Sequence, residues 1–101
     1  MTTSERMKKD GNQFNPILER KAKGLDCLEE ESAEIKMFTK EHFNNLYKRD
    51  QLVKEGKPTE PIDYLFSQAV LVSLFEEAFP IEFMEATGEL SADVREYFEF
   101  N

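Results

Sequence analysis

The chain has 101 residues, of which 34% are charged and 40% are hydrophobic, and its formal net charge is −8. This length fits one domain, and the apolar fraction is too high for a wholly disordered acidic chain. No apolar run approaches the roughly 20 residues of a membrane span, and the N-terminus lacks the apolar region of a signal peptide. The single cysteine, Cys27, excludes an internal disulfide framework. We therefore expect a cytoplasmic protein.

The charge is unevenly distributed along the chain. Residues 1–57 contain twelve basic and eleven acidic residues, whereas residues 58–101 contain ten acidic residues and a single basic one, Arg95. The second stretch also contains eight of the twelve aromatic residues. A negative surface attracts a basic protein and repels phosphates and anionic lipid headgroups. We therefore expect another protein, basic in character, as the partner, and no direct contact with nucleic acid or with a membrane.

The N-terminal part divides into a polar arm and the start of a helical domain. Residues 1–13 are almost entirely polar and predict an N-terminal arm. Asn15 and Pro16 then favour a helix start, because asparagine caps early backbone N–H groups and proline suits the first helical position. We predict that residues 14–101 form a single helical domain.

Apolar residues recur at helical spacing from this start up to Gly56 and Pro58, which stop the pattern. We predict a long helical segment over residues 16–55, which is either one helix or two. Its apolar positions are Leu18, Ala22, Leu25, Leu28, Ile35, Phe38, His42, Leu46 and Val53.

A linker and a core helix follow. Residues 56–61 contain two prolines and a glycine, which disfavour any regular element, and Thr59 is a candidate helix cap. Residues 62–75 are apolar on all sides of a helical wheel, which is typical of a helix buried on all sides. Their length argues against a strand. We predict a central core helix over about 62–79, broken by Pro80.

Short C-terminal helices are predicted over residues 81–99, with Gly88 stopping the first and Ser91 capping the second. No segment combines strand alternation with hairpin turn residues. The predicted fold class is therefore all-α, a small bundle of four to five helices around the central buried helix.

The residues that usually carry catalysis are scarce. His42 and Cys27 are the only histidine and the only cysteine, and they do not have the spacing of a zinc site. His42 lies on the apolar face of a predicted helix, which is typical of a core residue, and nearby acids raise the pKa of a thiol such as Cys27. The four glycines form no phosphate loop. We expect no enzymatic activity, no metal site and no cofactor.

Acidic residues in the C-terminal part follow each other at steps of three and four, the spacing of neighbours on a helix face. One interpretation is an ordinary solvated face. The other is a row of carboxylates that meets a partner's Lys and Arg, as the phosphates of a nucleic acid would. Two further acids, near the end of the core helix, are disfavoured there by the helix dipole. The predicted partner-binding residues are Glu76, Glu77, Glu82, Phe83, Glu85, Glu89, Asp93, Glu96, Tyr97, Glu99 and Phe100.

These observations support two hypotheses of function. The first is a small acidic regulator or inhibitor, of a size and charge that suit a phage or mobile element, which engages a basic nucleic-acid-handling protein. Its aromatics would be anchors and its carboxylates would steer the partner; the helical period turns Phe98 inward and Phe100 outward. The alternative is a structural assembly subunit or chaperone, a homo-oligomer that self-associates through its long N-terminal helices. The two hypotheses predict different exposed apolar patches. A partner-binding patch should lie in residues 76–101, and a self-association patch should lie along Leu18, Leu25, Leu28, Ile35 and Leu46.

Overall fold

The structure, a computed structural model, describes residues 3–59 and 61–100, with side chains from residue 13 onward. These ranges contain no strand, which confirms the all-α fold class. They contain five helices: α1 (Thr3–Ala22), α2 (Glu29–Glu55), α3 (Ile62–Ala78), α4 (Pro80–Gly88) and α5 (Ala92–Tyr97).

The first helix begins earlier than predicted. Residues 3–13 of the predicted polar arm belong to α1, whereas residues 1–2 lie outside the described part. Pro16 therefore stands inside the helix and not at its start. Phe14 and Ile17 are buried where α1 packs on α3. We infer that their burial outweighs the backbone hydrogen bond that Pro16 cannot donate.

The long helical segment is two helices, separated by residues 23–28. Gly24 ends α1 with a φ of +84°, a left-handed conformation that glycine adopts at little cost. The carboxylate of Glu31 accepts a hydrogen bond from the backbone N–H of Leu28 at 2.9 Å, which satisfies a free donor at the start of α2. At the other end, Gly56 is left-handed and closes α2, as predicted.

The later helix boundaries follow the sequence signals closely. The chain between α2 and α3 is residues 56–61, as predicted. Pro61 and not Thr59 occupies the cap position of α3, and it makes no side-chain cap. The Ser91 hydroxyl accepts a hydrogen bond from the backbone N–H of Val94 at 3.4 Å, which confirms Ser91 as the cap of α5.

The core lies where α1, α2 and α3 meet around Phe75. The rings of Phe14 and Phe38 stand edge-on to the Phe75 ring, with centroids 5.0 Å and 5.9 Å away, and 4.9 Å from each other. Phe79 adds a fourth ring at 6.4 Å from Phe75. Edge-to-face rings attract each other beyond the area they bury. The predicted core helix, α3, is thus central and contacts α1, α2 and α4.

One side of α3 is open to solvent, so the expectation that this helix is buried all round is wrong. Ile62, Phe66, Val70 and Leu74 are exposed, and their spacing of four places them on one face. We call these four residues the α3 stripe. Because α3 is apolar on every side, its sequence does not indicate which side faces the core; the positions of α1, α2 and α4 decide it.

Candidate functional site

Three of the predicted site carboxylates contact α2: Glu82 and Glu85 lie on α4, and Glu89 is the residue that caps the end of α4. The contacts follow the same order on both helices: Glu82 with the Ser32 hydroxyl (3.3 Å), Glu85 with Lys36 (3.0 Å) and Glu89 with Lys40 (3.8 Å). Steps of three and four residues keep the partners in register. The hydrogen bond and charge of Glu85 raise the pKa of Lys36. The sequence does not predict these contacts, because Lys36 lies 49 residues before Glu85.

The other five predicted carboxylates are exposed and have no ion pair within the described residues. Glu76 and Glu77 lie in the last turn of α3, which contains no basic residue. Asp93 and Glu96 lie on α5, and Glu99 follows it. The structure therefore leaves two groups of free carboxylates, one at the end of α3 and one around α5.

The predicted aromatic anchors pack against α2. The ring centroids of Phe83 and Phe98 lie 6.1 Å and 5.2 Å from that of Phe43, and both side chains are half-buried. Tyr97 is more exposed, with its ring 5.4 Å from Tyr47. These rings hold α4 and α5 on α2, so they contribute to the fold before any partner binds.

Phe100 was predicted to face outward, and this is wrong. Its ring centroid lies 5.0 Å from that of Phe43, and the side chain is half-buried. Glu99 has a φ of +60°, and the backbone N–H of Phe100 donates to the Arg95 carbonyl at 2.8 Å. This left-handed turn folds the chain back onto α2, and a helical period cannot predict it.

His42 lies in the core and not in a polar cleft, as expected for a core residue. It is 3% exposed, and its Nδ1 lies 3.3 Å from Oε1 of Gln68. The Gln68 amide in turn donates to the Tyr64 hydroxyl at 2.9 Å. Burial lowers the pKa of His42, because charging a buried ring is unfavourable. No three metal-ligating side chains come together in the part of the chain with described side chains.

We expect acid to destabilise the protein through His42. The unfolded chain binds a proton near the ordinary histidine pKa of about 6.5, whereas the folded protein resists protonation until a lower pH. The free energy of unfolding therefore falls as the pH drops below about 6.5, until the lowered folded pKa is reached. Urea unfolding between about pH 8 and pH 5 measures this fall. The His42→Gln variant has the same carboxylates as the wild type, so its free energy of unfolding should fall less over this pH range. An equal fall in the two proteins would contradict the prediction.

Cys27 lies in the connection between α1 and α2, and its thiol is half-buried. Burial raises the pKa of this thiol, and the charges of Glu82 and Glu31 raise it further. A raised pKa leaves little thiolate, the form that reacts. The acids that follow Cys27 in the sequence predict this direction, and the fold adds Glu82 of α4 to them.

Most described cations of α1, α2 and the following turn contact acids. The pairs are Arg20 with Glu31, Lys21 with Asp26 (3.7 Å), Lys36 with Glu85, Lys40 with Glu89, Lys54 with Asp50 (3.2 Å) and Lys57 with Glu55 (3.0 Å). Nucleic-acid binding needs several unpaired cations that displace counterions. This pairing is in keeping with the expectation of no direct nucleic-acid contact, which stays a prediction.

The apolar positions predicted for self-association do not form one exposed patch. Ile35 is buried in the core, and Leu18 and Leu46 are half-buried. Leu25 and Leu28 are exposed, but they lie in the connection between α1 and α2. Among the residues with described side chains, the longest row of exposed apolar residues is instead the α3 stripe, which neither hypothesis predicted.

The candidate binding features of this chain lie on its surface. Its described helices include none with the length and apolar character needed to cross a membrane. Exposed carboxylates lie around α5 and at the end of α3, and α3 also carries the uncovered apolar face formed by the α3 stripe. No known protein family, curated protein sequence or solved structure matches this chain.

Proposed function

We propose that this protein is a cytoplasmic, non-enzymatic regulator or inhibitor that binds a basic, nucleic-acid-handling protein through its acidic C-terminal half. The observation that carries the proposal is that five of the predicted carboxylates are exposed and unpaired: Glu76, Glu77, Asp93, Glu96 and Glu99. The paired carboxylates of Glu85, on α4, and of Glu89, at its end, act in the fold by holding α4 on α2.

The electrostatics favour a basic partner. Arg95 is the one base among residues 58–101, and it forms no ion pair in the described structure. The unpaired carboxylates at the end of α3 and around α5 produce a negative field that speeds the approach of a positively charged protein. Glu76 and Glu77 also face the negative end of the α3 dipole, an arrangement that costs stability unless cations approach.

The test compares two neutralised variants with equal net charge. The first removes the acids around α5: Asp93→Asn, Glu96→Gln and Glu99→Gln. The control removes three exposed, unpaired acids of α1 and α2: Glu19→Gln, Glu30→Gln and Glu41→Gln. Proteins retained by the immobilised wild type are identified and purified, and their dissociation constants are measured for all three forms.

We expect a basic protein whose affinity falls about tenfold or more in the α5 variant and less than about twofold in the control. The first variant loses local carboxylates at the contact, whereas the second changes only the distant field. Equal losses in both variants, or partners without excess positive charge, would contradict the proposed function.

A further inference from the structure

The α3 stripe is the start of a longer apolar surface. Its four side chains lie on successive turns of one helix, and Phe66 is 70% exposed. Twelve residues separate its ends, which corresponds to about 18 Å along the helix axis. A row of this length, with one anchor per turn, has the dimensions of a site that holds another helix.

Leu74 connects the stripe to a groove between α1 and α3. Leu18, Ala22 and Ala78 form the rest of its apolar lining, and its volume is about 390 Å³. A second cavity of about 300 Å³ shares Ala78 with this groove and continues to the start of α4. Its apolar lining is Cys27, Leu28, Ala78, Phe79, Pro80 and Ile81. The stripe, the groove and this cavity form one continuous surface, which we call the α3 groove.

The charged residues along the α3 groove are mostly acidic, and most of them have no ion pair with another described residue. Asp63, Glu76 and Glu77 are the charged residues of α3, all exposed and without an ion pair. Lys21 is the cation among the described lining residues of both cavities. It is already engaged, because its Nζ lies 3.7 Å from Asp26 and 5.5 Å from the centroid of the Phe79 ring.

We infer that the α3 groove binds an amphipathic helix of a partner protein, with apolar side chains on one face and Lys or Arg beside them. The apolar face covers the α3 stripe, and the basic residues meet Glu76, Glu77 and Asp63. This inference rests on the proposed function, since it names the part of the basic partner that docks. A helix of about 12–15 residues covers the stripe.

A second copy of the chain fits the groove less well than a basic helix. A two-fold pair uses the same surface on both copies. Each copy would bring a net charge of −8 and the same three carboxylates of α3. The carboxylates of the two copies would repel each other, because the described lining of the groove has no unpaired cation to offset them. This repulsion disfavours the pair.

The test uses three fluorescein-labelled synthetic peptides of about 15 residues. One places Leu and Lys so that a helix has an apolar and a basic face. The second has the same composition in an order with no apolar face, and the third replaces Lys by Glu. Anisotropy titrations compare wild type with Phe66→Ser and Val70→Ser. The matched control is Met37→Ser, since Met37 is 65% exposed on α2 and lines neither cavity of the groove.

We expect the amphipathic basic peptide to bind best, and Phe66→Ser to weaken its binding about tenfold or more. Val70→Ser should weaken it too, and Met37→Ser should change it less than about twofold. Binding should weaken as salt rises from about 0.05 M to about 0.5 M, where exposed charges are screened. Circular dichroism should show all variants folded, since the replaced side chains are exposed.

Different results overturn different claims. Equal binding of the two basic peptides, with no effect of Phe66→Ser, would overturn the groove and leave the proposed function standing. Absence of binding by either basic peptide, or preference for the Glu peptide, would also overturn the groove, whereas the proposed function is overturned separately, by equal losses of affinity in the α5 variant and its control. A wild-type dimer in light scattering that Phe66→Ser abolishes would show that a second copy occupies the groove, and would overturn the inference alone.

Discussion

Replacing Phe75 by alanine should lower the free energy of unfolding by about 3–5 kcal/mol, the range for large aromatic truncations in a core. Phe75 is 0% exposed, and its ring contacts the rings of Phe14, Phe38 and Phe79. Truncation leaves a cavity at the point where α1, α2 and α3 pack together. Since the total free energy of unfolding of native proteins is only about 5–15 kcal/mol, this variant should lose a large part of its stability.

The matched control is Phe66→Ala, nine residues earlier on the same helix. Phe66 is exposed on the α3 stripe, so its replacement should change the free energy of unfolding by less than about 0.5 kcal/mol. Urea unfolding followed by circular dichroism measures both variants. A similar loss in the two would mean that α3 faces the core with a different side. It would also remove the basis for the α3 groove.

Replacing Gln68 by leucine should lower the free energy of unfolding by about 1–3 kcal/mol, although leucine is more hydrophobic. Gln68 is fully buried; its Oε1 accepts a hydrogen bond from Nδ1 of His42 at 3.3 Å, and its Nε2 donates to the Tyr64 hydroxyl at 2.9 Å. Leucine keeps a similar volume but makes no hydrogen bond. The buried imidazole of His42 then loses its partner, which is the costly outcome.

A double variant separates packing from hydrogen bonding in this network. His42→Leu together with Gln68→Leu removes both polar groups, so part of the loss in Gln68→Leu alone should return. Urea unfolding at about pH 8, where histidine is neutral, measures the free energy of unfolding of the wild type, the two single leucine variants and the double variant. If Gln68→Leu is as stable as wild type, the hydrogen bonds of Gln68 contribute nothing that leucine packing does not replace.

Local signals in the sequence determined most of the helix boundaries. Gly56 ends α2 in a left-handed conformation, and Ser91 caps α5 through its own hydroxyl. Such signals depend on residues within about one turn of the boundary, so a sequence displays them directly. His42 as a core residue could also be predicted, because it follows the apolar period of its own helix.

Only the tertiary structure decided which surfaces remain for a partner. The acidic spacing over residues 82–89 was visible in the sequence, but the pairing of Glu85 with Lys36 and of Glu89 with Lys40 depends on how α2 and α4 pack. The burial of Phe14 likewise depends on the packing of α1 against α3. It helps to explain why α1 begins before the start predicted at Pro16. The α3 stripe is the clearest case. A helix that is apolar on all sides has no preferred face, so the neighbouring helices determine which residues they bury and which they leave exposed.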